Sequence, residues 1–315
     1  MIPRPLAIVL ACLLFAITSI AQAGPRDARW KEVEEAAQKG LPKTAIEKLG
    51  PIIEGALGDK AYAEAIKAIG RKIALEGNIQ GNKPEEKVTR MQAEIEKAPA
   101  EMKPVMEAIL ANWYWHYFQQ NRWRFMQRSQ TAAPPGENFT TWDLPRILGE
   151  IDKQFQKALA SADALKNIPI GEYNDLLQKG NCPDAYRPTL YDFLAHNALE
   201  FYSTGEQAGA RAEDAFDLQA TSPIFAEAAE FVAWNPEATD ETSPTLKALR
   251  LYQDLMRFHQ QDDDRSALLD ADLLRLEFGN NKAFGEEKTA RYKAALKLFA
   301  DKYADHEISS RAIAD

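Results

Sequence analysis

Asp262, Asp263 and Asp264 form a run of three carboxylates, a group that could hold a calcium ion. A 12-residue calcium loop needs oxygen ligands at alternate positions, a glycine at its bend and a closing glutamate. Arg265-Ser266-Ala267 follow instead, so the run reads as a solvated turn. The four histidines, His116, His196, His259 and His306, lie far apart, with no His-Glu-x-x-His pair to seat a zinc ion. Each reads as helix filling or surface. Cys-x-x-Cys, Gly-x-x-x-x-Gly-Lys and Gly-x-Gly-x-x-Gly are also missing. An acid/base pair of the glycosidase kind needs only two well-placed carboxylates. The chain has 47 acidic residues, and nothing in the sequence selects two of them. No catalytic, cofactor-binding or metal-binding residue is assigned, no cofactor is called for, and a non-enzymatic role is expected.

The densest cluster of distinctive side chains is NWYWHYFQQNRWRF at 112–125, where half of the residues are aromatic. It could be an aromatic platform for a sugar or peptide, or the inside of the protein. On a helical wheel with about 100° per residue, Trp113, Tyr117, Tyr114, Phe125, Phe118 and Trp115 spread over roughly twice the usual apolar stripe. That width predicts an inner helix with neighbours on two sides. Trp115 and Trp123 are the residues that a single buried stripe explains least. Buried Tyr and Trp need partners for their polar tips, and Asn112, Gln119, Gln120 and Asn121 are the nearby candidates.

Helices must position all of these residues. Ile147, Ile151, Phe155 and Leu159 recur every four residues, after Asp143 as a cap and Pro145 in the first turn. Arg187-Pro188-Thr189 opens a second helix carrying Leu190, Phe193, Leu194, Ala198 and Phe201. Tyr252 to Phe258, Leu268 to Phe278 and Tyr292 to Tyr303 read as successive antiparallel helices. Breaks are expected at Gly40-Leu41-Pro42, Gly77 to Pro84, Pro134-Pro135-Gly136, Gly180 to Pro183, Asn235-Pro236 and Gly279 to Gly285. The last stretch, with Leu296, Phe299 and Tyr303, then a turn, then Ser310 and Ala312, has the large-small spacing of a tetratricopeptide-like hairpin. No strict 34-residue period is present, so an all-α, irregular array of antiparallel helical hairpins is expected. Ser309 to Asp315 read as the opening of a further helix.

Residues 1–23 read as a cleaved signal peptide. Arg4 precedes the 15-residue run LAIVLACLLFAITSI, and Ala21-Gln22-Ala23 is a small-x-small cleavage pattern. The run is shorter than the roughly 20 residues of a spanning helix. Cys12 sits within the run, whereas a lipidated cysteine would close it. Residues 24–315 then form the helical domain, with a sub-boundary near 204–222. Cleavage leaves 47 acidic against 37 basic residues, an excess that repels phosphate backbones and argues against nucleic acid. Only Cys182 remains as a thiol, so no internal disulfide forms. It could cross-link chains, but a buried, inert thiol beside Pro183 is the preferred reading.

YFQQNRWRF (117–125), TWDLPRI (141–147), RPTLYDFLAHNAL (187–199), SPIFAEAAEFVAW (222–234), LRLYQDLMRFHQQD (249–262) and DADLLRLEF (270–278) occur in that order. Together they resemble the N-terminal helical region of large bacterial alpha-2-macroglobulin family proteins. The resemblance implies an exported protein that entraps proteases through a bait region, β-sandwich domains and often a Cys-x-Glu-Gln thioester. Those defining parts are not in this chain. Cys182 is followed by Pro-Asp-Ala, so it is not the thioester cysteine, and no family site residue carries over.

The expectation is therefore a non-catalytic helical protein-interaction region, reading as the N-terminal part of a macroglobulin-like inhibitor. Its place is the periplasm, the cell envelope or the medium. Its partners would be proteins or the remainder of a longer chain, with self-association through the C-terminal hairpin at 286–315 as a consequence. The rival readings are a stand-alone exported module that binds a glycan or peptide on the Trp113–Trp123 aromatics, and an all-helical carbohydrate-active enzyme.

Overall fold

The computed structural model describes residues 24–81, 83–128, 136, 138–205 and 216–314. The leader at 1–23, Pro134-Pro135 and Asp315 lie outside the described residues. Fourteen α-helices and no β-strand occur among the described residues, so the fold is all-α. None of these helices is long and apolar enough to cross a membrane.

The N-terminal helices are α1 (Asp27–Gln38), α2 (Pro42–Gly58), α3 (Tyr62–Ile79), α4 (Pro84–Lys97) and α5 (Lys103–Gln120). Each packs on the next in the chain. Proline opens α2 and α4 and stands in the first turn of α5, where its missing N–H is not needed. A small core of Val33, Ala45, Leu49, Ile52, Ala68 and Leu75 joins α1, α2 and α3.

Beyond the short α6 (Arg122–Met126) the order becomes irregular. Helix α7 (Leu144–Leu159) returns against α5, α9 (Leu190–Ser203) packs on α7, and α11 (Pro244–Phe258) packs on α9. Short helices α8 (Ala162–Leu165) and α10 (Ala228–Ala233) bridge between them. The chain then runs in sequence through α12 (Ser266–Lys282), α13 (Lys288–Lys302) and α14 (Ser309–Ala314). The main core runs from Ala56 to Ala312 and takes residues from both sides of 204–222. Residues 206–215 of that segment lie outside the described residues.

The starts of α7 and α9 follow their sequence signals. Asp143 accepts a hydrogen bond from the Arg146 N–H, and Thr189 with Asp192 forms a reciprocal capping box. The breaks expected over Gly77 to Pro84 and Gly279 to Gly285 are present, but Gly77 and Gly279 themselves lie inside the helices that end there. Both occupy close approaches inside a helix, where a Cβ would meet Lys87 Cε or Ile224 Cγ1 at 2.5 Å. Gly40 does end a helix, with φ of +71°. Ser310 points to solvent, while Leu296, Phe299, Tyr303 and Ala312 are buried as the spacing implied.

Candidate functional site

The aromatic stretch does not form one helix. Helix α5 stops at Gln120, and Asn121, at φ −120° and ψ 20°, turns the chain into α6. Wheel positions beyond 120 therefore lose their meaning. Tyr114, Trp115, Phe118 and Phe125 are buried, packed through edge contacts with Phe139, Phe201 and one another. Trp113 and Tyr117 are half-buried against the same core. Trp123 is the exception, 65% exposed between the exposed Arg122 and Arg124. Three of the four amides expected to serve the aromatic tips have other work. Asn112 pairs with Asn197 at 2.7 Å, Gln120 binds His116, and Asn121 caps the Tyr117 carbonyl. Gln92, from α4, donates to the Tyr114 hydroxyl at 3.3 Å.

A second cluster gathers titratable groups where α9, α11, α12 and α14 meet. His259, at the end of α11, is only 2% exposed. Its Nε2 lies 2.7 Å from Asp192 Oδ1 and its Nδ1 lies 2.6 Å from Asp262 Oδ2. Carboxylates only accept, so both ring nitrogens donate and the ring is held as an imidazolium. Burial pulls its pKa down, but the two carboxylates outweigh burial and raise it. With no lone pair free, His259 serves neither as a base nor as a metal ligand here. His196, one turn from Asp192, is the opposite case. Burial first, then Arg187, depress its pKa to about 3, so it stays neutral.

Ser266 and His306 look like a nucleophile and its base, 3.2 Å apart. Their protons point the wrong way. His306 Nδ1 accepts the Ile308 N–H, so the proton of a neutral ring is on Nε2, which donates to Ser266 Oγ. The Ser266 hydroxyl donates instead to Asp264 and, with its own backbone N–H, lowers the Asp264 pKa. Nucleophilic activation needs the reverse arrangement.

The Asp262–Asp264 run is an exposed turn, as expected, and two of its carboxylates also brace α11 and α12. His259 and His306 are likewise ties between elements rather than filling or surface. The signal for the first tie was present in Thr189-x-x-Asp192, a capping box, but its histidine partner lies 67 residues away. No group of three or more His, Cys, Asp or Glu among the described residues could hold a metal ion. Cys182 is half-buried, and burial, more than any neighbouring charge, raises its pKa, which suppresses the thiolate.

A concave feature with an apolar lining lies elsewhere, and the sequence reading passed over it. A groove of about 430 Å³ is lined by Trp30, Lys31 and Glu34 of α1, Ile66, Lys67, Gly70 and Arg71 of α3, Ile109 of α5 and Leu176. The spacing i, i+1, i+4 puts the α1 residues on one face, and i, i+1, i+4, i+5 does the same on α3. Alternate helices of the hairpin stack thereby share one side. The Trp30 ring is fixed by a 2.9 Å bond from its Nε1 to Glu64, and Lys67 Nζ stands 5.0 Å from the ring centroid. Arg71 bonds Glu34 at 2.7 Å, while its Nε is enclosed without an acceptor.

Compared with protein-family models, curated proteins and solved structures, the chain matches none of them.

Proposed function

We propose that this chain is a non-catalytic helical interaction region that binds polypeptide, exported and working within a macroglobulin-type protease inhibitor. The observation that carries the reading is the groove shared by α1, α3 and α5, with an apolar floor and charged rim on consecutively packed hairpins. Export is supported by Arg4, the apolar run and Ala21-Gln22-Ala23, and the inhibitor context by the ordered segments from 117 to 278. Leu298 and Ile313, exposed on α13 and α14, support docking or self-association at the C-terminal hairpin. The exposed Trp123 favours a second reading, a glycan platform, because a solvent-facing indole can stack on a sugar ring.

The test is photo-cross-linking of the full chain in its own cells, with a benzophenone residue placed in turn at Lys67, Trp123 and Leu298. Discrete polypeptide adducts from at least one position, in the envelope fraction, are the expected result. No adduct from any position, or substrate turnover by the purified chain, would overturn the reading.

A further inference from the structure

We infer that the groove between α1, α3 and α5 takes an acidic polypeptide segment that inserts an apolar side chain and is held at its flanks by carboxylates. This rests on the interaction reading above and names the partner's chemistry.

Three features of the groove lead there. Its floor is Ile66, Ile109, Leu176 and the bare backbone of Gly70, where a Cβ would have no heavy atom within 4 Å. An apolar side chain fits that floor, and burying one there is favourable in proportion to the area removed from water. Its rim carries Lys31, Lys67 and Arg71 against the single carboxylate of Glu34, a local charge of +2 (three minus one). The whole chain is at −9. A positive rim on an acidic protein favours an acidic occupant. The Arg71 side chain, partly exposed beside Glu34, is a guanidinium that can take a carboxylate across its fork.

The form of the groove favours a chain over a small molecule. Pockets for small ligands enclose most of the ligand. This groove is open to solvent and would leave a small amphiphile with one side in water. A polypeptide can fill it with one side chain and cover the open side with its backbone. The fixed Trp30 ring supplies a rigid wall, already oriented by Glu64, so little ordering is required on binding.

The experiment measures polarisation of a fluorescein-labelled, end-capped peptide, Asp-Glu-Glu-Phe-Leu-Glu-Glu-Asp, added to the full chain. A charge-reversed lysine version of the peptide and free dodecanoate serve as competitors. Gly70→Leu fills the floor from a helical position with open space above it, so this variant keeps its fold and its melting temperature. The expected result is binding that weakens about tenfold or more in Gly70→Leu. Lys67→Glu should weaken it too, and rising salt should lower affinity, as for charges screened over about 8–10 Å.

Binding unchanged by Gly70→Leu, or equal binding of the charge-reversed peptide, overturns the inference. So does saturation by dodecanoate with no peptide binding, which would make the site one for small amphiphiles. Self-association that Gly70→Leu abolishes would reassign the groove to a second copy. Adducts from Trp123 or Leu298 but none from Lys67 would sink this inference and leave the interaction reading standing. An absence of adducts everywhere would sink both.

Discussion

In the first four helices the ionic ties lie at the rim of the packing, apart from the buried Arg26 just ahead of α1. Arg26 reaches Glu64 at 2.8 Å and Asp59 at 2.5 Å, and Lys48 and Arg71 reach Glu32 and Glu34 from the surface. Burial raises the Glu64 pKa, but the bonds from Arg26 and Trp30 outweigh burial and leave it lowered. In the half built from α9 to α14, exposed pairs such as Arg257 with Asp254 remain, but some charges lie fully inside. Arg275, 1% exposed, donates to Asp272 and to the carbonyls of Ile224 and Ala226, and lies over the Phe231 ring. Asp152 of α7 receives Tyr202 of α9 and Lys247 of α11. Hairpins that follow one another in the chain need only apolar stripes to register. Elements brought together from 49 to 95 residues apart are pinned by polar groups that tolerate a single geometry.

The contrast breaks most visibly at Arg275. Arg275→Ala should cost about 3–5 kcal/mol in chemical denaturation, because it strands Asp272 and two carbonyls in the interior. Trp115→Ala, in the core where the two halves meet, should cost a similar roughly 3–5 kcal/mol. His259→Gln should cost about 1.5–3 kcal/mol, the range for bonds to charged groups. Arg26→Ala, which frees the exposed Asp59 but leaves Glu64 half-buried, should cost about 1–2 kcal/mol. Trp123→Ala should shift stability by no more than about 0.5 kcal/mol. A cost for Arg26→Ala as large as that for Arg275→Ala would erase the distinction between rim and interior.

The interior histidines sharpen it through pH. His259 has a folded pKa above its ordinary value of about 6.5. Its stabilisation is complete below that pH and is lost as pH rises through the folded value. His196 falls to about 3, so its contribution is present above about pH 6.5 and is lost as pH falls toward 3. Denaturation midpoints should therefore pass through a maximum near neutral pH. His259→Gln should flatten the alkaline side, and His196→Gln the acidic side.

Much of the helical layout was legible. Asp143 with Pro145, and Thr189 ahead of Leu190, announce α7 and α9 because capping is a local contest between side chain and backbone. The four-residue recurrence of Ile147, Ile151 and Phe155 announces which face is buried, and all three are buried. Glycine was less legible. Gly40 and Gly279 look alike in sequence, yet one ends a helix and the other admits Ile224 and Phe225 against its backbone. The candidate groove was not legible at all. Trp30, Lys67 and Leu176 belong to no motif, and only the stacking of alternate helices brings them to one surface.

By itself, then, the sequence determined the all-α class, the helix starts and the apolar stripes, since each depends on residues within one or two turns of one another. The tertiary structure alone decided that α5 ends before Trp123, leaving that ring in water while Trp115 is buried. It also decided that His259 is a doubly bonded imidazolium, and that Ser266 gives its proton to Asp264 rather than to His306. Those outcomes depend on which partner lies within about 3 Å. Residue type and local spacing carry no information on a distance set by elements 40 or 67 positions away.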